Sequence, residues 1–139
     1  MPTGTAPANV TVECIGDVPP NDPLLIIDEA DNQGVPTVAW VGDVSDNGSC
    51  PEIITRTYSI TDICGNVITV DQLIIVMDIT QPTASAPATV NVECIGDVPA
   101  WNVLDVTTEA DNCTLNPTVA WVGDASDNGS CPETITRTY

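Results

Sequence analysis

Two runs decide the fold: Ile53-Ile54-Thr55-Arg56-Thr57-Tyr58-Ser59-Ile60-Thr61-Asp62, and Val67 through Met77, joined by Ile63-Cys64-Gly65-Asn66. Both runs are rich in β-branched residues, and the Gly-Asn pair between them is a hairpin turn signal. On the first run Ile54, Arg56, Tyr58 and Ile60 share one face by the two-residue period of a strand. A hairpin with a buried face that contains a charged arginine is therefore expected.

Working outward, shorter strand signals lie at Asn9–Cys14, Leu24–Glu29 and Thr37–Gly42, separated by clusters of Pro, Gly, Asn and Asp. The composition agrees. Of 139 residues 42% are hydrophobic, yet there is no Phe and aromatics make up only 4%, so the core is built from aliphatic and β-branched side chains. The chain is expected to be all-β.

Much of this sequence occurs twice. Val12 through Pro19 reappears without mismatch as Val92 through Pro99, and Glu29-Ala30-Asp31-Asn32 as Glu109 to Asn112. After a one-residue insertion, Pro36–Asp43 matches Pro117–Asp124, Ser45–Glu52 matches Ser126–Glu133, and Ile54–Tyr58 matches Ile135–Tyr139. A period of about 80 residues suits an array of whole domains, each with its own core. Repeat 1 is placed at residues 1–81 and repeat 2 at 82–139, the second copy lacking counterparts of Ser59–Gln81. The chain is read as a window on a longer array.

Twenty acidic residues stand against two basic ones, a formal net charge of −18, which repels nucleic acids and anionic membranes and favours cations. No apolar run approaches the roughly 20 residues of a membrane helix, so no membrane insertion is expected. Six cysteines with no histidine fit an oxidised, extracellular framework better than a metal site. No signal peptide is visible at Met1, so an export signal is expected upstream. Catalysis has little to draw on. No histidine, phosphate-binding glycine loop or nucleophile with a visible base is present, and a non-enzymatic role is expected.

Ala30-Asp31-Asn32 with its copy Ala110-Asp111-Asn112-Cys113, Arg56 through Asp62 followed by Gly65-Asn66, and the exit Asp78-Ile79-Thr80-Gln81-Pro82 resemble the hyalin-repeat (HYR) branch of the Ig-like superfamily. The resemblance is to the divergent form found in long bacterial surface proteins. It implies tandem Ig-like antiparallel β-sandwich domains, stapled by disulfides, that serve as adhesive or spacer modules. In that architecture Trp40 and Trp121 are expected in the core and Trp101, in a loop, at the surface.

On the Ig-like order, Cys14 and Cys50 fall at one end of the sandwich and are expected to pair, as are Cys94 and Cys131, each bridge contributing about 3–4 kcal/mol. A second bridge would join the Asp-Asn-Cys loop to the Cys-Gly-Asn hairpin, but Gln33 stands where repeat 2 has Cys113. Cys64 and Cys113 are thus candidates for unpaired thiols. Arg56 and Arg137 are each expected to pair with a carboxylate of their own domain.

The acidic loops suggest calcium, a hard cation that takes oxygen ligands, with Asp78, Glu109, Asp111 and Asn112 as its expected set at the joint; a purely solvated acidic surface is the alternative. Asn9, Asn47, Asn112 and Asn128 begin Asn-x-Ser/Thr sequons, candidates for glycosylation, two of them in Asn-Gly-Ser turns. The leading functional expectation is a stalk or filament whose partners are further copies of the repeat. An adhesin that binds a glycan or protein at its loop ends, or a filament subunit joined by strand donation, is the alternative.

Overall fold

The computed structural model describes Met1–Tyr139, and it divides the chain into two compact units, Met1–Ile79 and Thr80–Tyr139. In unit 1 four strands form one sheet: β1 (Val10–Val12), β2 (Thr37–Ser45), β3 (Glu52–Thr61) and β4 (Val67–Val76), in the order β1-β4-β3-β2. β3 pairs antiparallel with both β2 and β4, whereas β1 runs parallel to β4.

Alternation along β3 sets the layers. Ile54, Arg56, Tyr58 and Ile60 are buried, and the residues between them are half-buried or exposed. Register places Gln72 opposite Arg56 and Ile74 opposite Ile54, and both are buried on the same face. Two clusters fill that face: Ile26, Tyr58 and Ile60 with Val38, Ile68 and Val70 against them, and Ile54, Ile74 and Val76 with Val12 and Val18. The hairpin turn is organised by Asp62, whose Oδ1 accepts from the Cys64 and Asn66 amides and whose Oδ2 accepts from Asn66 Nδ2. Gly65 takes a φ of 84°, a left-handed conformation that suits glycine.

The layer over this face is not a regular sheet. Leu24–Glu29, expected as a strand, begins instead as a 3-10 turn over Pro23–Leu25, because Pro23 has no amide to give a ladder and the Asp22 carboxylate caps the Leu24 amide. Extended chain follows, with Ile26 turned into the core and Ala30 bridged to Thr3 in both directions, at 2.8 and 3.1 Å.

Trp40 is a second correction. It pairs with Tyr58 and so faces the core side, but β2 is the edge strand and the ring is 44% exposed. Trp121 is likewise 39% exposed and stacks on Trp101, itself 49% exposed, with ring centroids 5.2 Å apart and planes 6° from parallel. Acrylamide is therefore expected to quench all three indoles; emission of which only one third could be quenched would contradict this placement.

Unit 2 repeats the scaffold with fewer strands: β5 (Thr83–Ser85) pairs with β6 (Thr107–Ala110), and β7 (Gly123–Ser126) with β8 (Ile135–Thr138). β8 is the counterpart of β3 and β7 of the distal half of β2. No helix in the structure is long and apolar enough to cross a membrane.

Candidate functional site

The most distinctive constellation is the buried cation of β3. Arg56 is 4% exposed, and it sits on the core face because the strand period puts it between Ile54 and Tyr58. Charge at that depth requires a full set of partners. Asp43 supplies two: Arg56 Nε donates to Oδ1 at 2.9 Å and Nη2 to Oδ2 at 2.8 Å, a bidentate pair, while Nη1 donates to the Pro19 carbonyl at 2.9 Å. Trp40 Nε1 donates to the same Asp43 Oδ1 at 2.9 Å.

A β-bulge makes this geometry. The register of β2 on β3 slips between Trp40 and Gly42, which brings Asp43 opposite Arg56 and lets Trp40 and Asp43, three residues apart, share a face. Unit 2 builds the same group: Arg137 Nε and Nη2 donate to Asp124 at 2.9 and 2.7 Å, and Trp121 Nε1 donates to Asp124 Oδ1 at 3.1 Å. The expected pairing of each arginine with a carboxylate of its own unit is thus found. Sequence reading did not pick out Asp43 and Asp124 as those carboxylates, although Trp-Val-Gly-Asp, with glycine at the bulge, was a usable signal.

Electrostatics follow from these contacts. The Arg56 guanidinium, with the Trp40 N–H, holds Asp43 below the usual carboxylate range, and Asp43 in turn raises Arg56. Arg137, again with its indole partner, lowers Asp124 to about 2. Asp46 and Asp127 are lowered because each accepts two backbone amides, Ile53 and Gly48 for the first, Thr134 and Gly129 for the second. A carboxylate with a depressed folded pKa contributes stability that is complete above its unfolded value, about 3.9, and is lost as pH falls through the folded value. The melting temperature is therefore expected to fall as acid takes the chain from about pH 4 towards 2, and Asp43→Asn should make that acid limb shallower. An acid limb unchanged by Asp43→Asn would show that the pair carries no share of it.

The repeated Asp-Asn-Gly-Ser turn is equally specified. Asp46 Oδ1 accepts from Gly48 N and Ile53 N, and a Cβ on Gly48 would lie 2.5 Å from the Pro51 carbonyl oxygen; Gly129 meets the Pro132 carbonyl in the same way. Asn47 and Asn128 hold φ values of 57° and 56°, so these two sequon asparagines serve the turn. Asn9 has a structural task as well, its Oδ1 accepting from Leu73 N.

The cysteines depart from expectation. Cys50, Cys64, Cys94 and Cys131 carry free thiols, so neither Cys14–Cys50 nor Cys94–Cys131 is formed. Cys14 is disulfide-bonded, and so is Cys113, which was expected to be unpaired. Register explains the first miss. Val12 and Glu52 both align with Val76 from opposite sides of β4, so Cys14 and Cys50 leave the sheet at the same end but about two strand spacings, roughly 10 Å, apart. A disulfide spans at most about 7 Å between Cα atoms. Cys50 Sγ instead lies 3.6 Å from the Asp78 carbonyl. Cys64 Sγ lies 3.4 Å from Gln33 Oε1, so the loop and the hairpin meet where a second bridge would close.

Of the expected calcium set, Asp78 lies in unit 1, and Glu109, Asp111 and Asn112 lie in unit 2. Asp111 Oδ2 is engaged by the amides of Cys113 and Thr114. Within neither unit do three or more acidic or cysteine side chains gather into a metal-holding group.

The family of HYR-like domains with 4 cysteines matches residues 2–76. The matched segment holds three cysteines, Cys14, Cys50 and Cys64, with Gln33 at the position where the second copy has Cys113. No curated protein and no solved structure matches the chain.

Proposed function

Since this chain belongs to the family of HYR-like domains with 4 cysteines, we propose that it is a non-catalytic, load-bearing spacer of an extracellular stalk or filament. HYR-like domains occur in extracellular or cell-surface proteins and are generally non-enzymatic. The observation that carries the stalk reading is the parallel pairing of β1, near the start of unit 1, with β4, at its end. Tension applied to the two ends of the unit pulls parallel neighbours in opposite directions along their axes, so their hydrogen bonds are loaded together in shear.

Three registered pairs, Val10 with Ile74 through Val12 with Val76, share that load, and side chains extend the clamp: Gln72 Nε2 donates to the Ala8 carbonyl at 2.6 Å and Leu73 N to Asn9 Oδ1 at 3.0 Å. Duplication of the Arg-Asp-Trp group also suits a role in which modules must be alike. An adhesin would more often vary its loops from copy to copy. Single-molecule pulling tests the proposal. Force applied between Met1 and Ile79 is expected to unfold unit 1 at a clearly higher value than force applied between Pro51 and Ile79, the adjacent ends of the antiparallel β3–β4 pair, which opens that pair one registered partner at a time. Equal forces in the two directions would sink the load-bearing reading, and specific capture of the chain on a glycan array would favour the adhesin.

A further inference from the structure

We propose that unit 1 holds a pocket for the side chain of a lysine from a partner protein, with the lysine ammonium on Glu29. The pocket has a volume of about 390 Å3 and is lined by Pro23, Leu24, Ile26, Ile27, Glu29 and Val38. It lies between the Pro23–Glu29 segment and the edge strand β2, which carries Val38. All its walls are apolar except one carboxylate. Apolar walls around a single polar group are the make-up of a ligand site.

One oxygen sets this carboxylate apart. Glu29 Oε2 is closed to solvent and accepts no hydrogen bond. The acidic residues on either side of it are engaged: Asp28 accepts from the Thr5 amide and hydroxyl, and Asp31 Oδ2 accepts from the Gln33 amide. A buried acceptor without a donor is costly, so a ligand that brings one gains more here than at a solvated carboxylate.

The occupant follows from these walls. A donor that meets a carboxylate in a chain of net charge −18 is favoured when it is itself positive. Apolar walls call for a hydrocarbon body behind that charge, and at the rim Leu24 and Ile27, 82% and 87% exposed, offer apolar surface for it to cover. A lysine side chain has both parts, a four-carbon stem and a compact ammonium. A guanidinium is a planar fork of five donors, which one open oxygen cannot satisfy. The lysine comes from outside this chain, which has none, and its two arginines are held in bidentate pairs with Asp43 and Asp124. The site belongs to unit 1, since Thr107 stands in unit 2 where unit 1 has Ile27.

Methyl NMR of the full chain, read at Ile26, Ile27 and Val38, tests this with a blocked pentapeptide of four alanines around a central lysine. Saturable shifts at these methyl groups are expected. The same peptide with its lysine Nε-acetylated should bind about tenfold more weakly, and so should the lysine peptide to Glu29→Gln. Ile27→Ala, at an exposed position, should weaken binding about threefold and keeps the test standing if Glu29→Gln does not fold. These losses support the proposal. Equal binding of the acetylated peptide overturns it, as does an affinity unchanged in either variant, or shifts no larger at the pocket than at the acidic turns of Asp46 and Asp127. Binding of n-butylammonium without binding of the peptide also overturns it, since the site would then take a free amine and not a protein side chain.

Discussion

Replacing Gln33 by cysteine, Gln33→Cys, is expected to produce a bridge to Cys64 under oxidising conditions and to raise the melting temperature of unit 1 by about 15 °C. The contact between Gln33 Oε1 and Cys64 Sγ already places the two loops side by side. The thiol has no competing bridge, since Cys64 is free and exposed. Closing a loop of about 30 residues removes about 3.5 kcal/mol of chain entropy from the unfolded state. For a domain of this size each kcal/mol moves the midpoint by about 4–8 °C. The gain should vanish on reduction, and also when Cys64→Ser is added. Two free thiols persisting at positions 33 and 64 after oxidation would show that the loops do not meet as described. The result bears on the family as well: the first unit would then hold the cysteine that separates it from a domain with four.

Arg56→Ala is expected to lower the stability of unit 1 by about 3 kcal/mol, a drop of more than about 10 °C in midpoint. Removing the guanidinium, itself buried, strands the Asp43 carboxylate without its bidentate partner and leaves the half-buried Pro19 carbonyl without its donor. It also deletes packing between Ile54 and Tyr58. The penalty stops short of the largest values for buried pairs because Asp43 retains 30% side-chain exposure and can be partly rehydrated. Arg137→Ala removes the same bidentate contact from unit 2, yet it should cost clearly less, since that site is more open to water. Thermal denaturation of the two variants side by side decides the matter, and equal losses would mean that burial does not set the cost.

These contrasts bear on what could be read from sequence. β3 and β4 were legible because their alternation runs for ten residues each, with Gly65 and Asn66 fixing the turn. The arginine's need for a carboxylate was legible for a similar reason, as a charge placed on an apolar face demands a partner. Local reading fails where tertiary context decides. Leu24–Glu29 has the aliphatic content of a strand, but Pro23 and the Asp22 cap turn its start, and only Ile26 reaches the core. Trp40 lies on the inward side of β2, and only strand order reveals that β2 is an edge with its indole half uncovered. The cysteines were misread at the same level. That Cys14 and Cys50 leave the sheet at one end follows from the fold class, but the intervening β4 that keeps them apart is a matter of sheet order.

The packing of unit 2 was only half legible. A missing counterpart of Ser59–Gln81 could be read by alignment, but not that Val90–Val92 and β8 would still face a common cavity. The HYR-like scaffold therefore has a division of labour among its strands. The β2–β3 pair with its Arg-Asp-Trp group forms in both units, whereas burial of the central cluster depends on the strand between β1 and β3.

Native-state hydrogen exchange on the untreated chain tests that division most directly, because identical residues occupy the compared positions. The amides of Ile54–Tyr58 are expected to exchange only through global opening of unit 1, and those of Ile135–Thr138 on the open edge at least a hundredfold faster, through local opening. Equal protection of the two segments, at any pH where both units are folded, would contradict the claim that the strand order of unit 1, and not the repeated sequence itself, closes the core.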